Sequence, residues 1–123
     1  MDVGGACYTV VVLSFQKLDV YRCAIEFLAL TSDVSAEVPR GNAALLDQLR
    51  RAAISIPLNI AEAAGRTGAA DAARTYAIAR GSAMECAAAL DALLVLKSID
   101  AKPHQRGCEL LERSVAMLTR LCR

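Results

Sequence analysis

Apolar residues recur every three or four positions in four separate segments of the chain, which is the spacing of one face of an amphipathic helix. The segments cover residues 15–31, 42–65 and 69–99, and a fourth stretch begins near residue 103. Their apolar stripes are, in chain order, Leu18, Tyr21, Ile25 and Leu28; Leu46, Leu49, Ala53, Ile56 and Ile60; Tyr76, Ala79, Ala83, Cys86, Leu90 and Leu93; and Cys108, Leu111, Val115, Leu118 and Cys122. The pattern predicts four helices and no strand.

Proline, glycine and capping residues between these segments predict where the helices begin and end. They are Pro39 and Gly41 in a loop over residues 32–42, Asn42 as the cap of the second helix, Gly65 as its end, Thr67 as the cap of the third helix, and Pro103 in the first turn of the fourth. The second and third connections are therefore expected to be short.

Four amphipathic helices with short connections predict an all-α fold, an up-down antiparallel four-helix bundle over residues 14–123. Residues 1–13 precede it as an N-terminal arm that is expected to be non-helical. The apolar run within this arm is too short for a signal peptide or a membrane span. Pro57 lies inside the second helix, where proline removes a backbone N–H and crowds a carbonyl at a cost of ~3 kcal/mol. We therefore expect a kink in the second helix.

Composition adds the character of the core and limits the partners. Apolar residues make up 55% of the chain and aromatic residues only 4%, which predicts an aliphatic core rich in alanine. The net charge of +1 indicates neither a nucleic-acid nor a membrane partner. Eleven of the 14 basic residues are arginine. This bias suits bidentate contacts to carboxylate or phosphate, and a GC-rich genome would equally produce it.

Few residues of the chain are suited to catalysis or metal binding. The five cysteines are an odd number without CxxC spacing, which argues against a disulfide framework and a zinc site and favours a reducing compartment, the cytoplasm. The single histidine, His104, cannot supply the ligands of a di-iron or haem bundle. No P-loop, nucleophile elbow or Gly-rich dinucleotide loop occurs. We expect no metal, no cofactor and no enzymatic activity.

Two linked sequence blocks lie in the second and third segments, with the forms Q-x-R-R-A-x-x-S-I-x-x-N-I-A-E and A-R-G-S-x-x-E. Their residues are Gln48, Arg50, Arg51, Ala52, Ser55, Ile56, Pro57, Asn59, Ile60, Ala61 and Glu62, then Ala79, Arg80, Gly81, Ser82 and Glu85. Over roughly residues 14–120 the chain resembles the four helix bundle protein family, also called the 23S ribosomal RNA intervening-sequence protein family. Ala63 stands where the family usually has a glycine.

The resemblance implies a four-helix bundle that assembles into a homopentameric ring. Many members of the family have no assigned activity, and some are encoded inside intervening sequences of 23S rRNA genes. A related branch, the accessory variability determinant of diversity-generating retroelements, binds a reverse transcriptase and nucleic acid. The partners implied for this chain are further copies of itself, RNA or DNA, and a reverse transcriptase or another protein, with no membrane.

Five polar residues of the first block share a helix face that is distinct from the apolar stripe. They are Arg51, Ser55, Asn59, Glu62 and Arg66. A solvated face is the common interpretation, but serine and asparagine are poor residues for a helix interior. We hypothesise that Arg51, Asn59 and Glu62 meet a second polar set, either on the third helix or across a subunit boundary. That set is Arg80, Ser82 and Glu85, beside Gly81, where glycine costs ~1 kcal/mol unless a close backbone approach requires it.

Two functions fit these observations. A non-catalytic adaptor would hold RNA or DNA through arginines that are repeated around a ring. A purely structural or protein-interaction module fits the composition equally well. The candidate nucleic-acid-binding residues are Arg50, Arg66, Arg74, Arg113 and Arg120.

Overall fold

The structure, a computed structural model that describes residues 13–123, contains four α-helices and no strand among these residues. After a short 3₁₀ turn over Ser14–Lys17, the helices are α1 (Asp19–Ser35), α2 (Ala43–Ala64), α3 (Ala69–Val95) and α4 (Ala101–Leu121). The predicted N-terminal arm lies outside the described residues, except for Leu13. None of the four helices combines the length and the apolar character needed to cross a membrane.

The four helices pack in a cycle, because α1 and α3 each contact both α2 and α4. Their inward faces share one aliphatic core in which alanine is prominent, as the composition predicts. The largest fully buried apolar side chains are Phe27, Leu49, Ile56, Ile60, Leu90, Leu93, Leu110 and Leu118. Each contributes about 1.5–3 kcal/mol relative to an exposed position. The all-helical class is confirmed, and the packing is compatible with a four-helix bundle.

The apolar stripes predicted for α2 and α3 are confirmed, since every residue in both stripes is buried. Alanine occupies the stripe at Ala53 in α2 and at Ala79 and Ala83 in α3, and all three are fully buried. Small side chains at these positions allow the backbones of neighbouring helices to approach closely.

The stripe predicted for the first helix is out of phase. The buried residues of α1 are Val20, Cys23, Ala24, Phe27, Thr31 and Val34. Ile25 is instead 40% exposed, and Leu18, Tyr21 and Leu28 are only partly buried against the core. Apolar residues occupy most positions from Val20 to Leu30, so one row of them does not define the centre of the buried face. The helix also begins later and ends later than predicted.

In α4 the predicted stripe is only partly correct. Leu111 and Leu118 are buried, but Cys108, Val115 and Cys122 are half-buried at the edge of the core. The remaining buried positions are Gly107, Leu110 and Ser114. Two of these three side chains are too small or too polar to count as apolar in a sequence pattern, so the pattern is misplaced by one position.

The helix ends agree with the prediction at Gly65, which ends α2, and at Pro103, which lies in the first turn of α4. Asn42 occupies the N-cap position of α2, but its side-chain amide donates to the Ser98 hydroxyl instead of capping the helix. The N-cap residue of α3 is Gly68, and not Thr67 as predicted. The Asn42 bond therefore ties the start of α2 to the connection between α3 and α4.

The third helix ends at Val95, before the predicted boundary at Ile99, because Lys97 adopts a left-handed backbone with φ of 59°. The Ser98 N–H donates to the Leu93 carbonyl at 2.8 Å, and the Lys97 N–H donates to the Leu94 carbonyl at 3.0 Å. This pair of bonds is the Schellman motif. Glycine is the usual residue at the left-handed position, so a lysine there gives no sequence signal.

Replacing Lys97 with glycine is expected to raise the free energy of unfolding by about 0.5–1 kcal/mol, because glycine removes the Cβ strain of the left-handed backbone. Urea unfolding followed by circular dichroism measures this change. The matched control is Lys102→Gly in the first turn of α4, where the backbone is helical and glycine is expected to lower stability. Equal effects of the two substitutions would contradict the assignment.

Candidate functional site

Three polar side chains from the two sequence blocks meet between α2 and α3. The Ser55 Oγ lies 2.8 Å from the Ser82 Oγ, and either hydroxyl can donate. Asn59 Nδ2 donates to the Ser55 hydroxyl at 2.9 Å. All three residues are half-buried, so these bonds replace contacts with water at the edge of the core. We call Ser55, Asn59 and Ser82 the polar cluster.

The polar cluster also supports the backbone of α2 near its proline. Pro57 is buried, and α2 continues through it. Proline has no N–H to donate to the carbonyl of Ala53 and crowds that carbonyl. Asn59 Nδ2 donates to the carbonyl of Ser55 at 2.8 Å, within the turn that contains Pro57. This bond goes to the carbonyl of Ser55 and not to that of Ala53, so it reinforces the turn around the proline without replacing the lost N–H.

Arg80 does not take part in the polar cluster, although its block supplies Ser82. Its Nε donates to the Thr119 hydroxyl at 2.8 Å, and Thr119 in turn donates to the carbonyl of Val115 at 2.7 Å. Arg80 is half-buried. It therefore links α3 to α4, on the side of α3 that faces away from α2.

The other polar residues of the hypothesised network lie at the surface. Glu62, near the end of α2, forms an ion pair with Arg66, which lies just beyond the helix, as the spacing predicts. Arg51 and Glu85 are exposed. At Gly81 an added Cβ would meet no atom within 4 Å. Within this chain Gly81 therefore makes no close backbone approach, and the network is confined to the polar cluster.

Exposed apolar side chains occupy positions next to the polar cluster along α2 and one turn away from it along α3. Leu58, which is 63% exposed, precedes Asn59, and Ile54, which is 46% exposed, precedes Ser55. On α3, Ile78 is 52% exposed and lies one turn before Ser82. Apolar side chains next to half-buried polar ones are typical of a surface that another protein covers.

Three of the five candidate arginines for nucleic-acid binding form ion pairs with carboxylates three or four residues before them in the chain. Arg66 pairs with Glu62, Arg74 Nη1 lies 2.7 Å from the Asp71 carboxylate, and Arg50 lies 3.8 Å from that of Asp47. Exposed pairs of this kind contribute at most about 1 kcal/mol. The remaining two, Arg113 and Arg120, are exposed on α4.

The cysteines of the described residues are all free thiols. Burial, with a smaller contribution from the Glu85 carboxylate, raises the pKa of Cys86 to about 12. Burial also raises the pKa of Cys108, and the carboxylates of Asp91 and Glu112 raise it further. Both thiols are therefore protonated at neutral pH, and neither is activated as a nucleophile.

A family model described as 23S rRNA-intervening sequence protein matches residues 16–120. The chain belongs to this family. The match includes both sequence blocks, and with them the polar cluster and Pro57, so the family resemblance seen in the sequence is confirmed. A comparison with curated proteins finds no match.

Two features of the family member could not be found by sequence reasoning. Thr119, the partner of Arg80, lies on α4 at a position with no distinctive spacing. The side chains of Asp91, His104 and Cys108 come together from α3 and α4. His104 and Cys108 are one turn apart, which is a usable signal, but Asp91 joins them only through the packing of the two helices.

Replacing Asn59 with alanine is expected to lower the free energy of unfolding by about 1 kcal/mol. The substitution removes two hydrogen bonds worth about 1 kcal/mol each and recovers part of that loss through helix propensity. Urea unfolding of matched variants measures the difference. Gln48→Ala, an exposed polar position on the same helix, is the control and is expected to change stability little. An unchanged stability of N59A would count against the polar cluster.

Proposed function

We propose that the chain is a non-catalytic member of its family that assembles into a homopentameric ring and acts as a cytoplasmic adaptor for nucleic acid and protein. The family match over residues 16–120 carries the proposal, because the resemblance implies such a ring. The geometry of the described residues supports two parts of this proposal: the surface for subunit assembly and the arginines for nucleic-acid binding.

An up-down antiparallel bundle is part of the proposal. The 27 residues of α3 extend about 40 Å. The connections 65–68 and 96–100 reach less than half of that distance even when fully extended. Each following helix must therefore start near the end where the previous one stopped. We also propose that α2 bends at Pro57, because proline removes a backbone N–H and crowds the carbonyl of Ala53.

The outer face between α2 and α3 is the proposed contact between subunits. It combines the polar cluster, the exposed apolar side chains of Leu58 and Ile78, and the open space above Gly81. A glycine that touches nothing in its own chain costs ~1 kcal/mol of helix stability without a benefit inside the monomer. Close approach of a second subunit would account for it.

Replacing Gly81 with alanine tests this surface. The helix should gain about 1 kcal/mol of intrinsic stability, whereas the added methyl group should hinder the subunit contact and lower the pentamer fraction. Native mass spectrometry over a dilution series measures the assembly, and urea unfolding of dilute protein measures the stability. A pentamer fraction that is unchanged while stability rises would exclude Gly81 from the interface.

Gly41→Ala is the matched control for this test. Gly41 is also exposed, and a Cβ there meets no atom within 4 Å, but it lies before α2 and away from the polar cluster. This variant is expected to keep the wild-type distribution of masses. A loss of pentamer in both variants would point to a general effect of the substitution and not to the proposed surface.

Arginines on α4 are proposed to hold nucleic acid. Arg113 and Arg120 are exposed, and their guanidinium groups suit bidentate contacts to phosphate. In a ring each of them recurs in every subunit, so a chain with a net charge of only +1 still presents a basic belt.

The remaining three candidate arginines form ion pairs. These pairs favour a second function, that of a protein-interaction module that does not bind nucleic acid. Arg50, Arg66 and Arg74 already pair with carboxylates three or four residues before them in the chain. These carboxylates would repel phosphate, and breaking the pairs would reduce the gain from binding it.

A salt series separates the two functions. Binding of the purified protein to single-stranded and to structured RNA is measured by fluorescence anisotropy at increasing salt. For an adaptor, the logarithm of the binding constant should fall linearly with the logarithm of the salt concentration. The expected slope is about −0.7 for each phosphate of a single strand that the protein neutralises. Arg113→Gln and Arg120→Gln should weaken binding and make the slope shallower. Lys97→Gln is the control, because it removes one positive charge outside the candidate set and should change RNA affinity little. If neither RNA binds in a salt-dependent way, the result favours the protein-interaction module.

A further inference from the structure

We propose that Asp91, His104 and Cys108 form a binding site for Zn²⁺ between α3 and α4. One ligand atom from each residue lies within 4.8 Å of the other two. The His104 Nε2 is 2.8 Å from the Asp91 Oδ1 and 3.6 Å from the Cys108 Sγ. In the sequence only the one-turn spacing of His104 and Cys108 points to this site, because Asp91 is contributed by a different helix.

Two side chains approach the same imidazole nitrogen, and no tautomer gives it a strong hydrogen bond to both. The Nε2 has one direction in the ring plane, along which it either donates a proton or accepts one. If it donates to Asp91, the Cys108 sulfur can share that proton only as a weak acceptor, and if it accepts from the thiol, it repels the carboxylate. A cation placed among the three ligand atoms satisfies all of them at once.

The distances fit a tetrahedral zinc ion. Zinc binds imidazole nitrogen and carboxylate oxygen at about 2.0–2.2 Å and thiolate sulfur at about 2.3 Å, which separates neighbouring ligand atoms by about 3.4–3.6 Å. The nitrogen and sulfur atoms are already 3.6 Å apart. Asp91 has a side chain that is 70% exposed, so a rotation about its side-chain bonds can open the shorter nitrogen to oxygen distance.

The position of the ligands on the helices favours a defined site. His104 and Cys108 are separated by one turn of α4, which puts both on the same face. His104 has only 20% of its side chain exposed, and Cys108 is half-buried, so packing restricts both ligands. Nitrogen, sulfur and oxygen donors together match zinc better than magnesium or calcium, which prefer oxygen alone.

The local charge also favours a divalent cation. The carboxylates of Asp91 and Glu112 both lie near the Cys108 sulfur. A bound Zn²⁺ would attract the thiolate and the carboxylates together. On binding, the Cys108 S–H bond breaks and its proton goes to solvent, bonds form from zinc to the sulfur, the imidazole nitrogen and the carboxylate oxygen, and hydrated zinc loses all of its waters but one. One water remains as the fourth ligand.

The test uses the full chain with reduced thiols and with Co²⁺ as a spectroscopic substitute for Zn²⁺. We expect one Co²⁺ per chain, with a near-ultraviolet charge-transfer band that reports a cobalt–thiolate bond, and displacement of Co²⁺ by added Zn²⁺. Cys108→Ser should abolish the band. His104→Ala should weaken binding on the order of 100-fold, because even the loss of an outer partner of a metal ligand costs 10–100-fold.

Controls separate the proposed site from other thiols and from misfolding. Cys122→Ser, at a half-buried thiol on the same helix, should bind Co²⁺ like the wild type. Metal-free variants are compared by circular dichroism, and Asp91→Asn, at an exposed position, keeps the test valid if a variant at Cys108 does not fold. A band that persists in C108S, or an unchanged affinity in both H104A and D91N, would overturn the proposal. Neither result would bear on subunit assembly.

Discussion

Small side chains let α2 and α3 approach closely, and this approach sets the conditions for the rest of the structure. Ala53, Ala79 and Ala83 are fully buried, and the Ser55 and Ser82 hydroxyls touch directly across the two helices. Contact between two of the shortest polar side chains requires the backbones to be near each other. An apolar residue at either serine would remove this hydrogen bond between the helices.

The polar cluster consequently joins local strain to tertiary packing. Pro57 weakens the backbone bonding of α2, and Asn59 supplies a donor to the same turn while it bonds to Ser55. Ser55 carries the contact to α3. A proline and an asparagine that are both unfavourable for a helix interior are therefore compatible with a continuous α2, because the asparagine side chain bonds back to Ser55 on the same helix. The family match spans these residues.

Helices α2 and α3 could be predicted well, and α1 and α4 less well, for a physical reason. The predicted apolar stripes of α2 and α3 coincide with buried faces, although Ile54, Leu58 and Ile78 lie outside them and are exposed. Around α1 the apolar arc is wide, and in α4 Gly107 and Ser114 are buried although neither is apolar. Periodicity locates a face from its large apolar residues, so it misplaces the buried face where small or polar residues occupy it or where apolar residues surround the helix. Of the candidate site, Ser55, Asn59 and Ser82 were identified in the sequence, whereas the partner of Arg80 was not.

The sequence by itself determined the helical class, the family and the residues from which a site is built, because these depend on spacing along one chain. Only the tertiary structure decided which residues meet. It joined Ser55 to Ser82, sent Arg80 to Thr119, and brought Asp91 to His104 and Cys108. These pairings depend on the rotation of each helix about its axis. That rotation is fixed by packing of the whole core and not by any single segment.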